Sequence, residues 1–252
     1  MGTYKVIAVS SGKGGVGKST VSANLACALA LQGKKVGLMD ADVMGPNMPI
    51  MMGVTEEPKI EKNASGAEVF IPPSSHGVKV MSMGFLIEPD QPVIWRGPML
   101  HNLLTQFSRN VNWGDIEYLV IDFPPGTGDV QISLSQLLPI TGAVMVSTPQ
   151  EVAMQDVRKA WKMWNQVKVP ILGVVENMSY FICKHGEKYA IFGEGGGEIL
   201  KTKFNSELLA QVPIEVAVRE GGDLGRPVVV KHPDSASAKA FMALAEKVAV
   251  LA

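Results

Sequence analysis

Residues Lys5–Thr20 read KVIAVSSGKGGVGKST, and this stretch decides the fold. Lys5–Ser10 is an apolar, β-branched run that predicts a strand. It stops at a glycine-rich loop, and Ser19–Leu31 then places Ala and Leu at helical spacing. Between them Gly12-Lys13-Gly14-Gly15-Val16-Gly17-Lys18-Ser19-Thr20 matches G-x-x-x-x-G-K-[ST]. Glycines allow the close approach and unusual dihedrals that turn successive backbone N–H groups toward phosphate oxygens. The helix that follows aims its N-terminus at the same anions. In this motif Lys18 reaches the β and γ phosphates and the Ser19 hydroxyl binds Mg²⁺. A strand before the loop and a helix after it are the context the motif requires.

The rest of the chain repeats the alternation. Lys35–Asp40, Tyr118–Asp122, Ala143–Thr148 and Ile171–Glu176 are short, near-continuous apolar runs, as expected of strands buried on both faces. Helical stretches lie between them, notably Val130–Leu138 and Val152–Gln166. This predicts an α/β fold: a doubly wound, mostly parallel sheet flanked by helices, in one domain spanning residues 1–252. Residues 55–85 interrupt the pattern. Their polar first part ends in Pro72-Pro73, and they are expected to form a surface excursion in which Glu68–Ile71 pairs with Val78–Met81 as an edge hairpin.

The bulk properties narrow the function. A length of 252 residues and a hydrophobic fraction of 46% suit one large core. A net charge of -1 gives no footprint for nonspecific nucleic-acid binding or a basic membrane patch. No apolar run reaches the length of a membrane span. The N-terminal MGTYKVIAVSS reads as a first strand, without the basic leader or cleavage site of a signal peptide. Two cysteines, Cys27 and Cys183, argue against a disulfide framework and fit a reducing, cytoplasmic setting. Cys27 sits among Ala26, Ala28 and Leu29 and is expected in the core. Most of the 14 methionines are expected to fill core gaps.

Two acidic segments end strands. Met39-Asp40-Ala41-Asp42 places carboxylates at the carboxyl end of a strand, where ligands of such sheets bind. Leu119-Val120-Ile121-Asp122 ends in an Asp suited to holding Mg²⁺ through its water shell. The Gly126 N–H beyond it could sense the γ-phosphate, making Pro124–Asp129 a switch loop.

Lys13, directly after the first glycine, is not needed to cradle phosphate within one subunit. The two-lysine loop resembles the deviant P-loop family that includes MinD, ParA and the nitrogenase iron protein. That resemblance implies a homodimer in which Lys13 crosses to the partner's nucleotide as a charge donor. It also implies that Asp42 orients or deprotonates the attacking water, that Asp40 helps organise the metal region, that Asn177 reads the adenine edge, and that the segment with Pro213 packs on the purine. No N-K-x-D guanine motif occurs, which favours ATP.

Further motifs resemble the Mrp/ApbC family over almost the whole chain: Asp40–Pro49 (DADVMGPNMP), Trp95–Met99 (WRGPM), Asp122–Asp129 (DFPPGTGD), Glu176–Tyr180 (ENMSY) and Arg219–Asp223 (REGGD). This implies an ATP-dependent carrier that delivers iron–sulfur clusters to apo iron–sulfur proteins. The family commonly has Cys-x-x-Cys after E-N-M-S-Y-F. Here Phe181-Ile182-Cys183-Lys184-His185-Gly186 keeps one cysteine. Three alternatives follow for the loop at residues 178–197: a Cys₂His₂ site for a cluster or zinc from Cys183 and His185 of two subunits, a labile cluster with external ligands, or a lost cluster site. Gly193–Gly197 reads as a flexible turn. Other functions compatible with the motifs are a MinD/ParA-like positioning ATPase and a nucleotide-gated scaffold. An electron-transfer role would require further cysteines. The tail Ala236–Ala252 reads as a packed helix, not a membrane anchor.

Overall fold

In the computed structural model, residues 4–43, 45–63, 66–86 and 97–252 are described, with backbone alone for 97–102. Trp95, Arg96 and Met44 of the motifs above lie outside them.

The chain opens with β1 (Lys5–Ser11), α1 (Lys18–Leu31), β2 (Val36–Asp40) and the short α2 (Met48–Met51). β3 (Lys59–Lys62), β4 (Glu68–Ile71), β5 (Ser74–Ser75) and β6 (Val78–Ser82) follow, then α3 (Gly97–Arg109), β7 (Tyr118–Asp122), α4 (Asp129–Leu137) and β8 (Gly142–Ser147). The second half holds α5 (Glu151–Gln166), β9 (Ile171–Glu176), β10 (Phe181–Ile182), β11 (Lys188–Tyr189), α6 (Gly196–Phe204), β12 (Leu208–Gln211), α7 (Val216–Asp223), α8 (Val228–Lys231) and α9 (Ala236–Leu251).

Eight strands form one sheet in the order β12-β9-β8-β1-β7-β2-β6-β5, parallel throughout except for β5. The period of two along each strand divides the core between the faces. Ile7 and Val9 of β1 pack with Leu25, Leu29, Phe241 and Leu244 of α1 and α9. Val6 and Ala8 pack on the other face with Phe107, Leu134, Trp161 and Trp164 of α3, α4 and α5. Both faces are covered, which is why the strands read as continuous apolar runs. The tail forms α9 against α1, and no helix among the described residues is long and apolar enough to cross a membrane.

The predicted pairing of Glu68–Ile71 with Val78–Met81 is not what forms. β4 pairs antiparallel with β3, from Lys59↔Ile71 to Lys62↔Glu68, while β6 joins the main sheet parallel to β2. Burial explains the difference. Val78, Val80 and Met81 are fully buried, whereas β3 is exposed along its length. A strand with an apolar core to fill takes the central sheet, and the polar one is left to make the peripheral hairpin.

Candidate functional site

The parallel strands bring their carboxyl ends to one edge. In register, Asp40 lies opposite Ser82 on one side and Asp122 on the other, and Asp122 lies opposite Val9, just before the phosphate loop. These side chains share the face on which α1 packs, because Leu38, Val80 and Val120, two residues earlier on each strand, all belong to the α1 core.

The loop from Gly12 to Gly17 joins β1 to α1. A Cβ on Gly12 would lie 2.2 Å from the Asp156 carbonyl carbon, so the loop crosses the backbone of α5 where only glycine fits. Gly17 caps α1 at φ 83°, a left-handed conformation, and a Cβ there would meet Asn177 Nδ2 at 2.1 Å. Val16 is buried, whereas Gly14 and Gly15 form the exposed crest. Lys13 is half-buried and forms no ion pair among the described residues; its carbonyl accepts from Ser11 Oγ.

Lys18 is 6% exposed and its ammonium lies 2.8 Å from Asp122 Oδ2 and 3.5 Å from Asp42 Oδ2. Ser19 Oγ donates to Asp122 Oδ2 at 2.6 Å, and Ser22 Oγ donates to Asp122 Oδ1 at 2.6 Å. One cation therefore faces two carboxylates, and an arriving phosphate anion would compete with both for it. Sequence reasoning missed Ser22, although it lies three residues after Ser19 and so shares its helix face.

Asp40 is buried, and its partners are protein groups: Asp42 N on Oδ1 at 3.2 Å, and Met48 N at 3.2 Å and Ser82 Oγ at 2.8 Å on Oδ2. Burial pushes its pKa up to about 7, helped by the charge of Asp122 and opposed by these hydrogen bonds. Asp40 thus organises the loop that carries Asp42. The Gly126 N–H, expected to face the γ-phosphate, donates to Ser11 O at 3.0 Å.

Beside the loop lies a cavity of about 660 Å³ that begins at Thr20 and Asn177. Ile50, Met51, Met178, Phe192, Pro213 and Ile214 give it apolar walls, while Asn47, Glu215 and Asp223 add polar groups. Pro213, expected to pack on a purine, lies on one of these walls. The Asn177 amide, expected to read the adenine edge, has its Nδ2 donating to Val16 O at 2.8 Å, which fastens the end of β9 to the phosphate loop. Ile50, Met51 and Phe192 were not legible as pocket residues, because distant segments of the chain assemble these walls.

Cys183 sits at the turn of the β10–β11 hairpin, half-buried, with His185 exposed two residues on. Cys183 N donates to Glu187 O, and Ile214 N donates to Tyr180 O, so the hairpin is bonded to a wall of the cavity. The loop at residues 178–197 returns to that cavity through Ile191 and Phe192. Its base is held by Glu176, a buried carboxylate that accepts from Ser179 Oγ, Gly197 N and Gln211 Nε2. Cys27 is fully buried and its thiol is pushed up to about 12 by desolvation, so it takes no part in this site.

Comparison with known proteins places the chain in a family. The chain matches the family model described as NUBPL iron-transfer P-loop NTPase over residues 2–249. It is 54% identical to the iron-sulfur cluster carrier protein of Synechocystis, covering 97% of this chain and 70% of that one. It is 49% identical to the iron-sulfur protein required for NADH dehydrogenase, mitochondrial, of Arabidopsis thaliana, covering 98% of this chain and 78% of that one. Among solved structures it resembles a nucleotide-binding protein from Archaeoglobus fulgidus in complex with ADP, with a TM-score of 0.79, 40% identity and coverage of 94% and 91%. It also resembles the cell division ATPase MinD of Pyrococcus furiosus, with a TM-score of 0.73, 26% identity and coverage of 98% and 99%. A family model matched over residues 2–249 and relatives about half identical over nearly the whole chain show that the chain belongs to the NUBPL iron-transfer P-loop NTPase family.

Proposed function

We propose that the protein is a cytoplasmic, homodimeric carrier of iron–sulfur clusters that binds ATP, hydrolyses it slowly, and hands its cluster to apo iron–sulfur proteins. The observation that carries this reading is the cluster of Lys18, Ser19, Asp42 and Asp122 next to Thr20, which lines a cavity of about 660 Å³ whose wall at Ile214 is bonded to the Cys183 hairpin. The triphosphate lies on the amides of residues 12–20. Lys18 exchanges its carboxylate partners for the β and γ phosphates, and Asp42 is then released to orient the attacking water. The Gly126 peptide leaves Ser11 O to meet the γ-phosphate. Lys13 of a second copy adds charge to the transition state, as an arginine finger does.

Ser19 Oγ and Asp122 Oδ2 are hard oxygen donors 2.6 Å apart, and no group of three His, Cys, Asp or Glu gathers around them or elsewhere among the described residues. That donor set fits Mg²⁺, which is held by one or two protein oxygens together with phosphates and water. When bound, Mg²⁺ supplies charge neutralisation to the phosphates. In the cavity, the base packs on Pro213. With Nδ2 engaged, Asn177 Oδ1 accepts from the 6-amino group of adenine and repels the 6-oxo group of guanine.

The cluster is cargo, and one chain offers it Cys183 and His185 alone on the hairpin. Two copies supply a Cys₂His₂ set, which suits a cluster or zinc. The single thiol per hairpin also favours a second reading, a nucleotide-gated scaffold without cluster. Anaerobic reconstitution followed by iron, sulfide and zinc analysis per dimer, with transfer to an apo-ferredoxin, separates the two. Stoichiometric iron and sulfide that move to the acceptor support the carrier. Their absence, with single-turnover ATP hydrolysis intact, leaves an ATPase that carries no cluster.

A further inference from the structure

We propose that Ser82, acting through Asp40, is a positioning residue for ATP hydrolysis, an inference that rests on the role given to Asp42 above. Asp40 is the junction of three elements. Its Oδ1 holds the Asp42 amide, and its Oδ2 holds both the Met48 amide and the Ser82 hydroxyl. Met48 opens α2, and Ile50 and Met51 of α2 wall the nucleoside cavity. Asp42 lies against Lys18. One buried carboxylate therefore fixes both the water-orienting loop and a wall of the base pocket.

Ser82 fixes that carboxylate. It is fully buried at the end of β6, in register with Asp40. Its oxygen accepts from Gly84 N at 3.0 Å, which sets the hydroxyl so that its single proton goes to Asp40. Gly84 packs tightly on the same loop, for a Cβ there would lie 3.2 Å from Pro46 O. Ser82 is the side-chain donor of the three and the one that belongs to the rigid sheet; the other two are amides of the segment being held. Without it, Oδ2 keeps the longer bond to Met48 N, and the carboxylate loses its reference to the sheet. Asp42 then samples orientations in which its water is not in line with the γ-phosphate, while the phosphate loop and the rest of the cavity still bind nucleotide.

The test compares wild type, Ser82→Ala, Ser82→Thr, Asp40→Asn and Asp42→Ala by steady-state hydrolysis, fluorescent-ADP affinity, and hydrogen exchange at the Asp42 and Met48 amides. Ser82→Ala is expected to lower kcat about tenfold or more, as befits the loss of one buried hydrogen bond, with KM and ADP affinity within about twofold. The Asp42 and Met48 amides should exchange faster, and Ser82→Thr should restore both rate and protection. Asp40→Asn, which keeps size and one acceptor, should reproduce the kcat loss if Ser82→Ala fails to fold. Unchanged kcat and unchanged exchange in Ser82→Ala, with Asp42→Ala inactive, overturns the role of Ser82 and leaves the ATPase reading standing. A parallel fall of kcat and ADP affinity that Ser82→Thr does not rescue also overturns it, as a general loss of structure. If wild type itself hydrolyses no ATP, the ATPase reading fails, and the exchange data alone decide whether Ser82 holds the Asp42 loop.

Discussion

Lys18 is clamped between Asp122 and Asp42, whereas Lys13, in the same loop, is half-buried without an ion pair among the described residues. On the proposed reading Lys18 is the cation that meets phosphate, so Lys18→Ala should lose both ATP affinity and hydrolysis. Lys13→Ala should keep most of its affinity and lose rate, by up to about 10³-fold if it acts across a dimer as a charge finger. Equal loss of binding in the two variants, measured by isothermal titration, would remove the trans role. Asp40 makes a different kind of prediction. Its pKa in the fold is about 7 against an ordinary 3.8, so the folded protein holds that proton more tightly than the unfolded chain. Its contribution to stability is full below about pH 4 and is lost as pH rises through about 7. Measured without nucleotide or metal, the stability of wild type relative to Asp40→Asn should therefore rise as pH falls across that window, by up to about 1.4 kcal/mol per pH unit. A flat difference from pH 4 to 8 in paired urea melts would contradict it.

At the scale of elements, the cysteine hairpin stands on one carboxylate. Glu176 ends β9, receives Gly197 N from the first turn of α6, Gln211 Nε2 from the end of β12, and Ser179 Oγ from the loop itself. Glu176→Ala would strand these donors in a buried site and should cost roughly 3 kcal/mol in a denaturant melt. A loss below about 0.5 kcal/mol, the usual size of a surface substitution, would mean that the three elements do not depend on it. The phosphate loop, its flanking strand and helix, and the strands ending in Asp40, Asp122 and Glu176 were all legible, because local pattern and strand-end chemistry determine them. The partner of β4 was not: β6 and β3 compete for places in the sheet, and the winner is settled by which strand has a core to fill, which only the tertiary fold reveals. The same limit hid Ser82 and the pocket walls on α2 and around Phe192. The engagement of Asn177 Nδ2 by Val16 O, and of the Gly126 amide by Ser11 O, shows a related limit. Residue type and motif name a donor, but only the packed structure shows which acceptor it has found.

For the whole molecule, the question is whether nucleotide and cluster act on one assembly. Saturating a nonhydrolysable ATP analogue with Mg²⁺ at about 100 times its dissociation constant should stabilise the fold by roughly 2.7 kcal/mol if it binds the native protein alone. The same addition should double the 27.0 kDa mass in light scattering, and Lys18→Ala should abolish both responses. Cys183 does not line the cavity beside the phosphate loop but is joined to its wall through Ile214 N and Tyr180 O. Cys183→Ser should therefore keep nucleotide binding and the doubling of mass while losing any reconstituted iron–sulfur absorbance. Cys27 gives the internal control, since its buried thiol, pushed up to about 12, is not available as a thiolate ligand near neutral pH. Absorbance and iron content unchanged in Cys183→Ser would place the metal away from the hairpin. Loss of nucleotide-driven dimerisation in the same variant would instead make the hairpin part of the subunit contact, so the two measurements together separate cargo binding from assembly.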